Sequence, residues 1–94
     1  MEIKITALHF TANESQIQFI TKKVERLSRF VNDEEAVAEV TLQLEPTTKK
    51  VQLKLDGQVN SCSAFTFEDA ITVCVDAMKE LLTREKDRRL ADRR

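Results

Sequence analysis

The apolar residues of this chain change their period three times along its length, and each change marks a boundary between a strand and a helix. From Glu2 to Phe10 they alternate, with Ile3, Ile5 and Ala7 on one side and Lys4 and Thr6 on the other, as a half-buried strand requires. Leu8 and Phe10 break that parity near the end. Ile17, Ile20, Val24, Leu27 and Val31 then recur at spacings of three and four, which predicts a helix capped by Thr11 or Asn13. From Ala36 the period returns to two. Val40, Leu42 and Leu44 oppose Glu39, Thr41 and Gln43, and beyond the turn Pro46-Thr47-Thr48, Val51, Leu53 and Leu55 oppose Lys50, Gln52 and Lys54. Asp56-Gly57 is a hairpin signal, so a further antiparallel strand starts near Gln58 or Val59. The run Val59-Asn60-Ser61-Cys62-Ser63-Ala64-Phe65 leaves its inward face open. A last helix, capped by Thr66, carries Phe67, Ala70, Ile71, Cys74, Met78, Leu81 and Leu82 on one stripe. Residues 83–94 contain good helix formers but almost no apolar face, and read as a solvated extension.

This order predicts an α/β two-layer domain, β-α-β-β-β-α, in which a four-stranded mixed sheet carries both helices on one face. The strands flanking the first helix are expected to be parallel if adjacent, and the other pairs antiparallel. The open face would carry Lys50, Gln52, Lys54, Glu39, Thr41 and Gln43 into water. With 94 residues, 1–94 read as a single domain with one modest core. No apolar stretch approaches the ~18 to 20 residues of a membrane span, and Met1-Glu2-Ile3-Lys4 leads straight into alternation, so a cytoplasmic protein is expected.

Little in the sequence supports catalysis. His9, the one histidine, stands at a strand end with no nucleophile in its pattern, and one glycine cannot build a phosphate-cradling loop. Glu68 and Asp69 suit the start of a helix without any catalytic role. Cys62 and Cys74 lack metal-ligand spacing and read as free, buried thiols. The chain is therefore expected to be no enzyme and to need no cofactor or metal.

Charge is more informative in its pattern than in its sum of -1. Lys22, Lys23, Arg26 and Arg29 stand against Glu25 alone, and residues 84–94 hold six basic residues against three acidic ones. Between them Asp33, Glu34, Glu35, Glu39 and Glu45 run without a basic residue. On the first helix Lys22, Arg26 and Arg29 fall on the solvent side, and Phe19, Lys23, Arg26 and Phe30 follow one flank at i, i+4, i+7 and i+11. Two readings fit: cations that merely solubilise a helix whose rings pack inward, or cations that meet phosphates while ring edges touch a base or ribose. On the second helix Asp69, Asp76, Glu80 and Asp87 gather on one flank and Lys79 and Lys86 on another, forming a basic ridge.

Taken together, Ile3-x-Ile5, His9-Phe10, the run Phe19-Ile20-x-x-Lys23-Val24-x-Arg26-Leu27-x-Arg29-Phe30, and Phe67-Glu68-Asp69-Ala70-Ile71 with Val75-Asp76-x-Met78 and Leu82-x-Arg84-x-Lys86 resemble the ribosome hibernation-promoting factors. That family is also described as ribosome-associated inhibitor or ribosomal subunit interface proteins. The resemblance implies a short-form member that binds ribosomal RNA of the small subunit in the mRNA and tRNA channel and silences idle ribosomes. Apart from the resemblance, neither membrane nor DNA is expected as a partner, and a monomer is expected, although the sequence does not define the oligomeric state. It also implies that Lys23, Arg26 and Arg29 on the first helix, and Arg84, Lys86 and Arg88 on the second, are RNA-binding positions; Lys22 and Lys79 join them on the charge pattern. Lys79 followed by Glu80 inverts the family's usual acidic-then-basic order. The alternative is a protein interaction module that offers the acidic stretch and the acidic flank of the second helix to a basic partner.

Overall fold

A computed structural model describes residues 1–31 and 35–92, with side chains described as far as Arg84. Strand β1 (Glu2–Leu8) is followed by helix α1 (Glu14–Glu25), a 3-10 helix (Arg26–Phe30), strands β2 (Val37–Leu44), β3 (Lys49–Leu55) and β4 (Gln58–Ala64), and helix α2 (Phe67–Asp92). The sheet order is β1-β2-β3-β4, with β1 parallel to β2 and the other pairs antiparallel. This is the mixed two-layer architecture that the alternating periods predict.

Register sorts the sheet into two faces. Ile3, Ile5 and Ala7 align with Ala38, Val40 and Leu42, of which Val40 and Leu42 align in turn with Leu53 and Val51 of β3. Beneath the helices these meet Ile20, Val24 and Leu27 from the first helical segment and Phe67, Ala70, Ile71, Cys74, Val75, Met78 and Leu82 from α2. The opposite face stays in water. One of its rows pairs by sign, Lys4 beside Glu39 beside Lys54, so opposite charges neighbour one another across three strands.

Chain turns follow residue chemistry. Asp56 and Gly57 both take the left-handed conformation (φ 53° and 79°), as a two-residue hairpin whose twist matches its strands demands. His9 is left-handed too (φ 65°), a conformation that histidine tolerates better than most residues. This resolves the broken parity at the end of β1. Leu8 falls on the open face, and the chain then swings round so that the Phe10 ring stacks on Phe67, centroids 5.3 Å apart and 5° from parallel. Asn13 is the cap of α1: its side chain accepts from the Gln16 N–H at 2.8 Å and the Gln16 side chain accepts from the Asn13 N–H at 3.1 Å. Thr66 caps α2 by accepting from the Asp69 N–H at 3.1 Å.

Two details differ from expectation, and a third resolves what the sequence leaves open. Ile17 is 40% exposed, where α1 runs past the buried cluster. The first helix is not α-helical to Val31. With no glycine available for a left-handed stop, it tightens into the 3-10 turn and leaves into extended Val31 (φ -121°, ψ 122°). Strand β4 turns Gln58, Asn60, Cys62 and Ala64 toward the helices and leaves Val59 half exposed. An inward asparagine is sustained because its Nδ2 donates to the Cys74 carbonyl at 3.3 Å.

Both cysteines are free. Cys74 is buried against the sheet, its Sγ 3.5 Å from the Asn60 carbonyl and 3.7 Å from that of Val51, whereas Cys62 is half-buried. Burial, reinforced by the neighbouring Cys62, pushes the Cys74 thiol up to about 12.

Candidate functional site

The change of helix type at Arg26 decides where the cations of the first helical segment go. On an α-helix, residues three apart are offset by ~60°, but in a 3-10 helix they eclipse. Arg26 therefore stands above Arg29, and Leu27 above Phe30. The first pair forms an exposed edge; the second turns toward α2, with Leu27 fully buried and Phe30 half-buried.

Across from this turn, α2 presents Thr72, Val75, Asp76 and Lys79, spaced to lie on one face of an α-helix. The two segments enclose a groove of about 470 Å³. Leu27, Phe30 and Val75 supply its apolar walls, and Lys23, Arg26, Arg29 and Lys79 its cations. Two of those cations lie against rings. The Lys23 Nζ is 5.5 Å from the Phe19 centroid and the Lys79 Nζ is 5.6 Å from that of Phe30, the latter bridging α2 to the 3-10 turn. The rings thus pack and hold cations at the same time, so the two readings of the aromatic flank are not exclusive.

Of the residues expected to bind RNA, the groove gathers Lys23, Arg26, Arg29 and Lys79. Lys22 is exposed but does not line it. Arg84 belongs to a shallower depression of about 730 Å³ on the outer flank of α2, lined also by Val73, Asp76, Ala77, Lys79, Glu80 and Thr83. Lys79 is shared by both depressions. Lys86 and Arg88 lie on the helical continuation of α2, and their side chains, with residues Asp33 and Glu34 of the acidic stretch, lie outside the described residues.

The expected division of α2 into an acidic and a basic flank does not hold at its middle. Asp76 lies with Lys79 on both depressions, because positions three apart on an α-helix are surface neighbours. Sequence reasoning also missed Thr72 and Val75; the i, i+4, i+7 series Thr72, Asp76, Lys79 was the available signal.

The remaining acidic stretch does not form one patch. Glu39 is flanked by Lys4 and Lys54 in the sheet register, and the Glu45 Oε1 accepts from the Ser63 hydroxyl at 2.8 Å and the Thr48 hydroxyl at 3.2 Å.

In this β-α-β-β-β-α domain four cations thus converge from two helical segments on a partly apolar groove, and no helix among the described residues is long and apolar enough to cross a membrane. The chain belongs to the family described as Sigma 54 modulation protein / S30EA ribosomal protein, whose model matches residues 3–90, the hibernation-promoting-factor family that its sequence resembles. Its fold is similar to that of the Protein Y N-terminal domain of Thermus thermophilus, with a TM-score of 0.75 and 22% identity over 89% of this chain and 98% of that one. A ribosomal subunit interface protein from Coxiella burnetii is similar as well, with a TM-score of 0.74 and 15% identity over 93% of this chain and 99% of that one. No curated protein matches the chain.

Proposed function

We propose that this ribosome-associated domain binds RNA of the small ribosomal subunit in the mRNA and tRNA channel and so silences translation in idle ribosomes, without catalysing a reaction. The observation that carries this reading is the convergence of Lys23, Arg26, Arg29 and Lys79, from two separate helical segments, on one groove. Scattered cations would only keep the surface solvated. Cations gathered around a nucleotide-sized, partly apolar trough match what single-stranded or irregular RNA offers, phosphates beside exposed base faces. Family membership supports the ribosome as the source of that RNA and the cytoplasm as the place of action. Occupation of the channel would exclude mRNA and tRNA sterically, which requires no nucleophile or general base; His9 is exposed at the end of β1 and does not line the groove.

The test is co-sedimentation of the purified chain with isolated small and large subunits, beside a translation assay. Binding is expected to the small subunit, to compete with mRNA and tRNA, and to collapse when Lys23, Arg26 and Arg29 are replaced together by Gln while the melting temperature stays close to wild type. Equal binding by the triple variant, or binding confined to the large subunit, would overturn the proposal.

A further inference from the structure

Among the side chains lining the inter-helical groove, Asp76 alone is acidic. It is exposed, it lines the groove together with four cations while also bordering the outer depression, and it forms no ion pair or side-chain hydrogen bond with another described residue. The other oxygen-bearing side chain there is Thr72, and its hydroxyl is taken up by donation to the Glu68 carbonyl at 2.8 Å. The groove therefore presents cationic donors and one unengaged carboxylate.

An ionised carboxylate only accepts hydrogen bonds. It repels phosphate, so the part of an RNA that comes to rest on Asp76 must be a donor, and RNA carries donors only on its bases and its 2′-hydroxyls. The four bases differ in what they offer two carboxylate oxygens. Uracil sets one N–H between two carbonyls. Adenine and cytosine place their amino group beside a ring nitrogen that is itself an acceptor. Guanine alone has two adjacent donors, N1–H and the N2 amino group, on its pairing edge, and in unpaired RNA that edge is open to a protein.

Building on the RNA-binding reading of this groove, we propose that Asp76 selects guanine: its two oxygens accept from N1–H and N2–H of an unpaired guanine while Lys23, Arg26, Arg29 and Lys79 hold the adjoining phosphates. The cations provide attachment and the carboxylate provides register, the division of labour expected between phosphate and base contacts. Asp76 also explains why a groove for a polyanion retains a negative charge at its side.

Kethoxal, which modifies N1 and N2 of unpaired guanines, tests the contact directly. Ribosomes would be saturated with wild-type protein, Asp76→Ala or Glu80→Ala, saturation being checked by co-sedimentation and folding by thermal melting. Glu80→Ala removes the same charge from the neighbouring outer flank. Wild type and Glu80→Ala are expected to shield at least one guanine of the small-subunit RNA that stays reactive under Asp76→Ala, with the other protections unchanged. Loss of a two-bond base contact should also weaken ribosome affinity by roughly ten-fold. An Asp76→Ala footprint identical to wild type would overturn the proposal, since contact with a 2′-hydroxyl, or simple tuning of the groove's charge, leaves guanine reactivity unaltered. Loss of the same protection under Glu80→Ala would overturn it as well. Failure of the wild-type protein to bind ribosomes at all would instead remove the function proposed above, and this inference with it.

Discussion

Exchanging the charges of two adjacent residues, Lys79→Glu with Glu80→Arg, distinguishes the groove from the outer flank of α2 while leaving net charge unchanged. Lys79 lines both depressions and rests over Phe30, whereas Glu80 lines only the outer one. The exchange takes the groove from four cations and one carboxylate to three cations and two carboxylates, while the outer depression, which Lys79 and Glu80 both line, keeps two cations and two carboxylates. If each groove cation neutralises one phosphate, the log-log dependence of affinity on salt has a slope of about -2.8 to -3.6 for wild type and about -2.1 to -2.7 for the variant, at -0.7 to -0.9 per contact. Raising salt from ~50 to ~200 mM should then weaken wild-type binding about 50- to 150-fold and the variant about 20- to 40-fold, from a lower starting affinity. The stability cost is limited to the ammonium-ring contact, about 0.5 to 1 kcal/mol at an exposed site, or a few degrees in melting temperature. Ribosome co-sedimentation across a salt series, with a melt of each protein, measures both quantities. Equal affinity and equal slope would refute contact at Lys79, and tighter binding by the variant, whose groove is less positive by two charges, would refute the groove as the contact surface.

Further outcomes test the architecture. Leu53→Ala, at a fully buried position facing the helices, should cost about 2 to 5 kcal/mol in denaturant unfolding. Asn13→Ala dismantles the reciprocal cap of α1 and should cost about 1 kcal/mol without altering the core. Because Cys74 is pushed up to about 12 from an ordinary 9.0, the unfolded chain releases its thiol proton before the folded one does. Its contribution to stability is complete below about pH 9 and declines as pH rises toward 12, by up to about 1.4 kcal/mol per pH unit. That part of the alkaline slope in urea unfolding should vanish in Cys74→Ala, and at pH 8 a thiol reagent should label Cys62 well before Cys74.

Elements with a clean apolar period were readable as sequence. Val40 and Leu42 against Thr41, and Val51, Leu53 and Leu55 against Gln52 and Lys54, declared both the strands and the face they bury. Strand β4 did not, because a hydrogen bond holds part of its inward face: Asn60 points inward to the Cys74 carbonyl, and no hydropathy scale registers that. The cations of the first helical segment were visible, but their grouping was not. It depends on the 3-10 geometry that eclipses Arg26 and Arg29, a choice the chain makes where glycine is lacking and where Leu27 and Phe30 can both settle against α2. Asp76 went unnoticed as a groove residue because its meaning arises from cations that reach it from another segment.

The 3-10 turn has a dynamic consequence. Five residues in this geometry close few strong main-chain bonds, and the N–H of Val31 reaches the Ser28 carbonyl only at 3.4 Å, so little besides Leu27 and Phe30 anchors the segment. Its expected opening is a local one in which the half-buried Phe30 leaves α2 and the two arginines disperse. A ligand that spans Arg29 and Lys79 ties the turn to the longer helix and suppresses that opening, so part of its binding energy becomes protection of the amides between Ser28 and Val31 against hydrogen exchange. The groove would then be softer in the free protein than on the RNA it grips.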